Sequence, residues 1–182
     1  MLKSIKSFVH LNRRETLMNI LVCDDNESFV LELTEKIHHS CICLGVNASI
    51  TPFIHPKQIS AMSQYDIAFL DVDMEEMTGI SLAKILRQQT PNIVIIFVTN
   101  FIQYAPDGYE VSAFRYLLKS DIDKKLSDYL KLAFEQVFQS RKVITISINA
   151  EDVDIPIQNI LYFESNRRII TIPVSYTHLT LP

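Results

Sequence analysis

The sequence predicts an α/β protein whose body is an open, five-stranded, doubly wound parallel sheet, followed by an incomplete all-β segment. Two observations carry the first part. Over residues 19–139, short β-rich runs alternate with amphipathic helical patterns, the order that folds into parallel strands joined by helices. The runs LVC, IAFL and IVIIFV are nearly unbroken apolar stretches, as strands covered on both faces require. The second part rests on VITISI, DVDIPI, ILYFE and RIITI, which all lie beyond residue 142 and are rich in β-branched residues.

Taken in order, residues 1–17 carry Lys3, Lys6, Arg13 and Arg14 against Glu15. They read as an N-terminal extension, disordered or not native, with Met18 as the expected true start. Leu2, Ile5, Phe8 and Val9 fall at helical spacing, but the stretch lacks the clean apolar run and cleavage site of a secretory signal. Strands are expected at 20–23, 49–53, 67–70, 93–98 and 113–118. Phe29, Val30, Leu33 and Ile37 share one helical face, and Ile80, Leu82, Ile85 and Leu86 share another. Leu126, Leu130, Ala133 and Val137 recur at i, i+4, i+7 and i+11 in a last helix spanning about 121–139. Before the fifth strand, FIQYAPDGYE contains Pro106 and Gly108, which break a helix interior, so this crossover is expected to be short or mobile.

Composition narrows the function. With 48% hydrophobic and 21% charged residues in 182, the chain is neither disordered nor a disulfide scaffold. No apolar run approaches the ~18 residues of a membrane span, so no membrane partner is expected. Cys23, Cys41 and Cys43 form no CxxC pair, and an odd number of thiols fits a reducing cytoplasm. Cys41 and Cys43 are expected to be small core residues. Residues 18–140 carry 9 basic and 16 acidic side chains, which makes them a poor surface for nucleic acid.

In a doubly wound sheet the chemistry lies beyond the carboxyl ends of the strands. The first strand ends in Asp24–Asp25, the third in Asp71, the fourth in Thr99 and the fifth in Lys119. Singly, each has an ordinary reading: a helix cap, a loop hydroxyl, a surface lysine. Together on one edge they assemble mutually repelling carboxylates that a hard, oxygen-loving dication such as Mg²⁺ relieves. A lysine and a hydroxyl facing those acids can hold phosphate oxygens.

ILVCDDNES, YDIAFLDVDMEEMTGISLAKILR, IIFVTN and SAFRYLLK together resemble the receiver domain of two-component response regulators, over about residues 19–139. The resemblance implies a flavodoxin-like sheet and a phosphoryl group accepted on Asp71 from a sensor histidine kinase. It implies Mg²⁺ on Asp25 and Asp71, with Asp24 acting mainly through water and Asp73 through its backbone carbonyl. It also implies phosphoryl contacts from Thr99 and Lys119, a switching rotamer at Tyr116, and a homodimer promoted by phosphorylation. The chain departs from the family pattern at Glu75 and Ser120, where proline is usual. A cis bond before Ser120 would cost ~3 kcal/mol, so a trans bond is expected.

Beyond the receiver-like part, 18–140, the stretch IPIQNILYFESNRRIITI resembles the opening of a LytTR-type DNA-binding domain, beginning near 141 and ending near 173. This implies Asn166, Arg167 and Arg168 as DNA-contact candidates, with promoter DNA a partner only of a full-length parent. VSYTHLTLP, residues 174–182, resembles a translated sequencing adapter and is expected to be non-native, leaving the output domain truncated. The alternative function is a haloacid-dehalogenase-type phosphatase using Asp71 and Asp73, whose Asp-x-Asp, threonine and lysine series this chain imitates.

Overall fold

The computed structural model describes residues 17–59, 64–100, 109–148, 151–162, 164–166 and 169–174. They fall into two compact units, 17–137 and 138–174. In the first, β1 (Met18–Cys23), β2 (Ala48–Phe53), β3 (Ile67–Leu70), β4 (Val94–Thr99) and β5 (Arg115–Leu118) form one sheet in the order β2-β1-β3-β4-β5. Every pairing is parallel. The chain steps outward from β1 to β2, then returns past β1 to β3 and winds the other way. That reversal puts the switch in strand order between β1 and β3, and the expected doubly wound sheet is what the chain forms.

Helix α1 (Glu27–Leu44) starts where Asn26 accepts a hydrogen bond from the Phe29 N–H at 3.1 Å, and it ends at Gly45, which takes the left-handed conformation. Helix α2 (Gly79–Gln89) is capped by Thr78, and α3 spans Ile122–Ser140 after a short 3₁₀ turn, Lys119–Asp121. Most of the apolar stripes read from spacing are buried: Val30, Leu33 and Ile37 on α1, Leu82 and Leu86 on α2, Leu126, Leu130, Ala133 and Val137 on α3, while Phe29, Ile80 and Ile85 at their edges are half-buried. Leu21, Cys23, Ala68, Leu70, Ile95 and Phe97 pack with α2 in one cluster. Alternation along the strands turns Ile20, Val22, Ile67, Phe69 and Ile96 to the opposite face, where α1 packs on β1 and β2.

Arg87 fastens α2 to the approach to β5. Its guanidinium donates to the carbonyls of Pro91, Ile93, Val111 and Ser112 at 2.6–3.3 Å. Lys84 pairs with Glu110 at 2.8 Å beside it.

One expectation fails here. Cys41 is buried, but Cys43 is exposed. Cys41 continues the Val30, Leu33, Ile37 stripe, whereas two further residues rotate the helix by roughly 200° and turn Cys43 to solvent. Residues 101–108, with Pro106 and Gly108, lie outside the described residues, as do residues 1–16.

The second unit begins with a hairpin of β6 (Val143–Ile148) and β7 (Glu151–Pro156). A smaller antiparallel pair follows, β8 (Glu164–Asn166) and β9 (Ile169–Thr171), with an isolated bridge between Ile160 and Val174. No helix among the described residues is long and apolar enough to cross a membrane.

Candidate functional site

Parallel strands send all five carboxyl ends to one edge of the sheet. There β1 leads into Asp24 and Asp25, β3 into Asp71 and β5 into Lys119, while Thr99 closes β4. The Asp71 N–H donates to the Cys23 carbonyl at 2.9 Å, which sets the two acid-bearing strand ends side by side.

Lys119 joins them. Its Nζ lies 2.6 Å from Asp24 Oδ2 and donates to Asp71 Oδ2 at 3.0 Å, with the Phe29 ring 4.2 Å away on the first turn of α1. Only 15% of the lysine side chain is exposed, which excludes the surface-lysine reading. Thr99 is fully buried, Asp24 keeps 2% of its surface and Asp71 keeps 7%, while Asp25 stands exposed at the rim.

A backbone N–H orients each carboxylate. Asp24 Oδ1 accepts from Asn26 at 2.9 Å, Asp71 Oδ1 from Val72 at 2.7 Å, and Asp25 Oδ2 from Glu75 at 3.1 Å. The helix-capping role falls to Asn26, not to either aspartate. The Glu75 contact depends on a departure from the family pattern, because a proline there has no N–H to donate.

Burial holds the Asp24 carboxyl above its ordinary value of 3.8, against the pull of Lys119 and the Asn26 N–H, and Asp71 adds to the rise. Burial pulls Lys119 down, but the hydrogen bonds and charges of Asp24 and Asp71 outweigh it and hold the ammonium above 10.5. Beneath the acids, the Cys23 thiol is pushed up to about 12 by burial and by Asp24, Asp25 and Asp71.

One carboxylate oxygen from each of Asp24, Asp25 and Asp71 comes within 4.8 Å of the other two. One ammonium against three carboxylates leaves a formal charge of −2. Hard oxygen donors carrying that charge suit a dication that retains part of its water shell, as Mg²⁺ does.

Gly79 belongs to the site although its place in the sequence gives no sign of it. A Cβ there would stand 1.8 Å from the Asp71 carbonyl oxygen, and the Gly79 N–H donates to the Val72 carbonyl at 3.0 Å. The glycine lets α2 start directly against the backbone of Asp71.

The side chain of Asp73 is exposed and outside the carboxylate cluster, so any part it plays is that of the backbone carbonyl expected from the resemblance. Tyr116 is half-buried opposite Phe97 in the β4–β5 register, with ring centroids 5.0 Å apart. All described peptide bonds are trans, including the one before Ser120. Asn166 ends β8, whereas Arg167 and Arg168 lie outside the described residues.

The family model for the response regulator receiver domain matches residues 20–131. An uncharacterized response regulatory protein of Vibrio parahaemolyticus is 32% identical over 124 residues, covering 68% of this chain and 50% of that protein. The sensory transduction protein LytR of Streptococcus mutans is 28% identical over 125 residues, covering 63% of this chain and 49% of that one. The chain thus spans about half the length of these curated relatives. Response regulator protein TrrA of Thermotoga maritima, solved with Mg²⁺ and BeF, is 23% identical with a TM-score of 0.55, covering 64% of this chain and 98% of that one. A CheY-like receiver domain protein from Methanospirillum hungatei is 19% identical with a TM-score of 0.55, covering 67% and 97%. At these identities the structural likeness is one of fold, and the family model adds a match over more than half of the sequence. The sheet, the acids at its carboxyl edge and that match agree: the chain belongs to the response regulator receiver domain family.

Proposed function

We propose that this chain is the phosphorylation-switched part of a two-component response regulator, with Asp71 the phosphoacceptor and a sensor histidine kinase the donor. One observation carries the reading: Lys119, Asp24 and Asp71, from three separate strand ends, meet within 3.0 Å of the lysine Nζ. Asp71 is the more accessible of the two bridged acids. The Val72 N–H and the Lys119 ammonium grip one oxygen each and aim its carboxylate before any donor arrives. An Asp71 oxygen forms the new P–O bond as the P–N bond of the donor phosphohistidine breaks and the imidazole departs.

Asp24, Asp25 and Asp71, with the backbone carbonyl of Asp73, would hold Mg²⁺. When bound, the ion supplies positive charge against the phosphoryl oxygens. Lys119 adds an ammonium, already desolvated, and Thr99 a buried hydroxyl at the end of β4, both serving the same oxygens. Tyr116, on the strand that carries Lys119, is the residue through which the change reaches the β5 face, where a phosphorylation-promoted homodimer would form. The similarity to LytR supports a transcriptional output, with Asn166, Arg167 and Arg168 as DNA-contact candidates in a LytTR-type domain and promoter DNA the partner of a longer parent protein.

The test uses the full chain and a small phosphodonor, with and without Mg²⁺. Phosphate uptake is expected only with the ion, and Asp71→Asn is expected to abolish it. Equal labelling of Asp71→Asn would overturn the assignment, and sustained turnover of unrelated phosphoesters would point to a phosphatase instead.

A further inference from the structure

Far from the acidic pocket, α1 carries a second pair of metal-ligating side chains. His39 and Cys43 are one turn apart on the exposed side of the helix, with Cys43 Sγ 3.6 Å from His39 Nε2. We propose that this pair is a binding site for a borderline or soft divalent cation of the zinc class, distinct from the oxygen-lined Mg²⁺ site.

The two side chains stand at hydrogen-bonding distance, and the same separation is compatible with a shared metal. Zn–S bonds of about 2.3 Å and Zn–N bonds of about 2.0–2.1 Å, meeting at a tetrahedral angle, place sulfur and nitrogen about 3.6 Å apart. The pair holds that spacing already, so binding requires little rearrangement. The i, i+4 interval on one helix face is the same interval by which paired histidines grip zinc in helical metal sites. The scaffold is firm: α1 runs 18 residues, buries Val30, Leu33, Ile37 and Cys41 on its other side, and closes on Gly45.

The donor set also selects the ion. A thiolate and an imidazole favour zinc-like cations and disfavour Mg²⁺, which takes oxygen. Residues 39 and 43 lie about 20 Å along the helix from its start beside the acids, so the two sites can fill independently. Among the described residues no third His, Cys, Asp or Glu atom completes a cluster with this pair, so solvent takes the other coordination positions. His39 also lines a groove of about 490 Å³ between α1 and α3, shared with Glu35, Lys36 and Leu126, which keeps its ring open to solution. As the metal–sulfur bond forms, the Cys43 thiol proton passes to solvent.

Cys43 is the one exposed thiol, because Cys23 and Cys41 are buried. The rate at which a thiol reagent modifies the native chain therefore reports on it alone. With excess Mg²⁺ present throughout to occupy the acidic pocket, adding Zn²⁺ is expected to slow that reaction roughly tenfold or more in the unsubstituted chain. In His39→Gln, which keeps helix propensity and loses the nitrogen ligand, it is expected to slow it less than about twofold. Co²⁺ is expected to raise a thiolate-to-metal absorption band that Cys43→Ser removes. Absence of protection in the unsubstituted chain, or equal protection in His39→Gln, overturns the proposal. So does a cobalt band that survives Cys43→Ser. None of these readouts involves Asp71 phosphorylation.

Discussion

Replacing Gly79 by alanine sets two physical effects against each other, and their signs differ. Gly79 opens α2 without a left-handed backbone angle. By helix propensity and unfolded-chain entropy alone, Gly79→Ala would stabilise the protein by about 0.4–1 kcal/mol. The structure says otherwise. The new methyl carbon would stand 1.8 Å from the Asp71 carbonyl oxygen, 2.8 Å from its carbon and 3.2 Å from Val72 Cα. Ordinary contact begins near 3.4 Å, so about 1.6 Å of separation must be made. The obstructing atoms are backbone and cannot rotate aside. Overpacking costs about 1–3 kcal/mol where side chains can yield, and this site falls at the upper end. The 3.0 Å bond from the Gly79 N–H to Val72 is strained by the same retreat, adding about 1 kcal/mol. At about 4 °C per kcal/mol for a unit of this size, the loss is about 8–15 °C in melting temperature. Circular dichroism melts of the full chain measure it, with Gln88→Ala on the exposed side of α2 as a control expected to stay within about 0.5 kcal/mol. Because the displaced atom belongs to Asp71, phosphate uptake from a small donor should fall as well, at temperatures where the Gly79→Ala protein is still folded. An unchanged or raised melting temperature would refute the close-approach reasoning.

Other expected outcomes follow from the same contacts. The Lys119 ammonium is held above 10.5, so its contribution to stability is complete below that value and disappears as the pH rises through the raised one. The melting-temperature gap between the unsubstituted chain and Lys119→Gln should therefore be constant near neutrality and close at more alkaline pH; a gap independent of pH would contradict the ion pairs. Arg87→Met should destabilise by about 2–4 kcal/mol in urea unfolding, since four carbonyls lose a shared donor, and Arg87→Lys should recover less than half, because an ammonium cannot reproduce the planar fork. With Cys23 pushed to about 12 and Cys41 to about 11, a thiol reagent at roughly neutral pH should label one thiol in the native protein and three after denaturation. Rapid labelling of two native thiols would count against the burial of Cys41.

Where burial alone decides, the sequence carried the structure to the residue. IAFL is β3 from end to end, fully buried, because an unbroken apolar run of four has few other uses. Strand starts slipped where a turn intrudes. Ser112 takes a φ of 51°, so extended backbone begins at Arg115 and not at Ala113. Ile93 donates to the Thr90 carbonyl in a turn, which postpones β4 to Val94. The meeting of Asp24, Asp71 and Lys119 was legible because topology alone brings those strand ends to one edge. Which acids the lysine would bridge was not, since that depends on side-chain reach of an ångström or so. Phe29 read as a core residue and instead lies half-buried against the ammonium. The hold of Glu75 on Asp25 comes from a main-chain N–H that every residue except proline possesses, so the departure from proline made the contact possible but did not say where the N–H would point.

Lys119 is attached to the sheet's most vulnerable strand. Among the described residues β5 has four residues and one neighbouring strand, β4, and Leu117 and Tyr116 pack it against the core from an edge position. Yet the ammonium just beyond it grips acids on β1 and β3, reaching past β4 to the middle of the sheet. The last turn of the edge strand is thereby latched to the centre by charge. Any change in the charge of the acids alters the free energy of opening that strand locally, without a hinge and without a change in the core. Amide hydrogen exchange at Leu117 and Leu118 should thus register the occupancy of a pocket two strands away. An edge strand tied in this way reports the site's chemistry as a change in how often it frays.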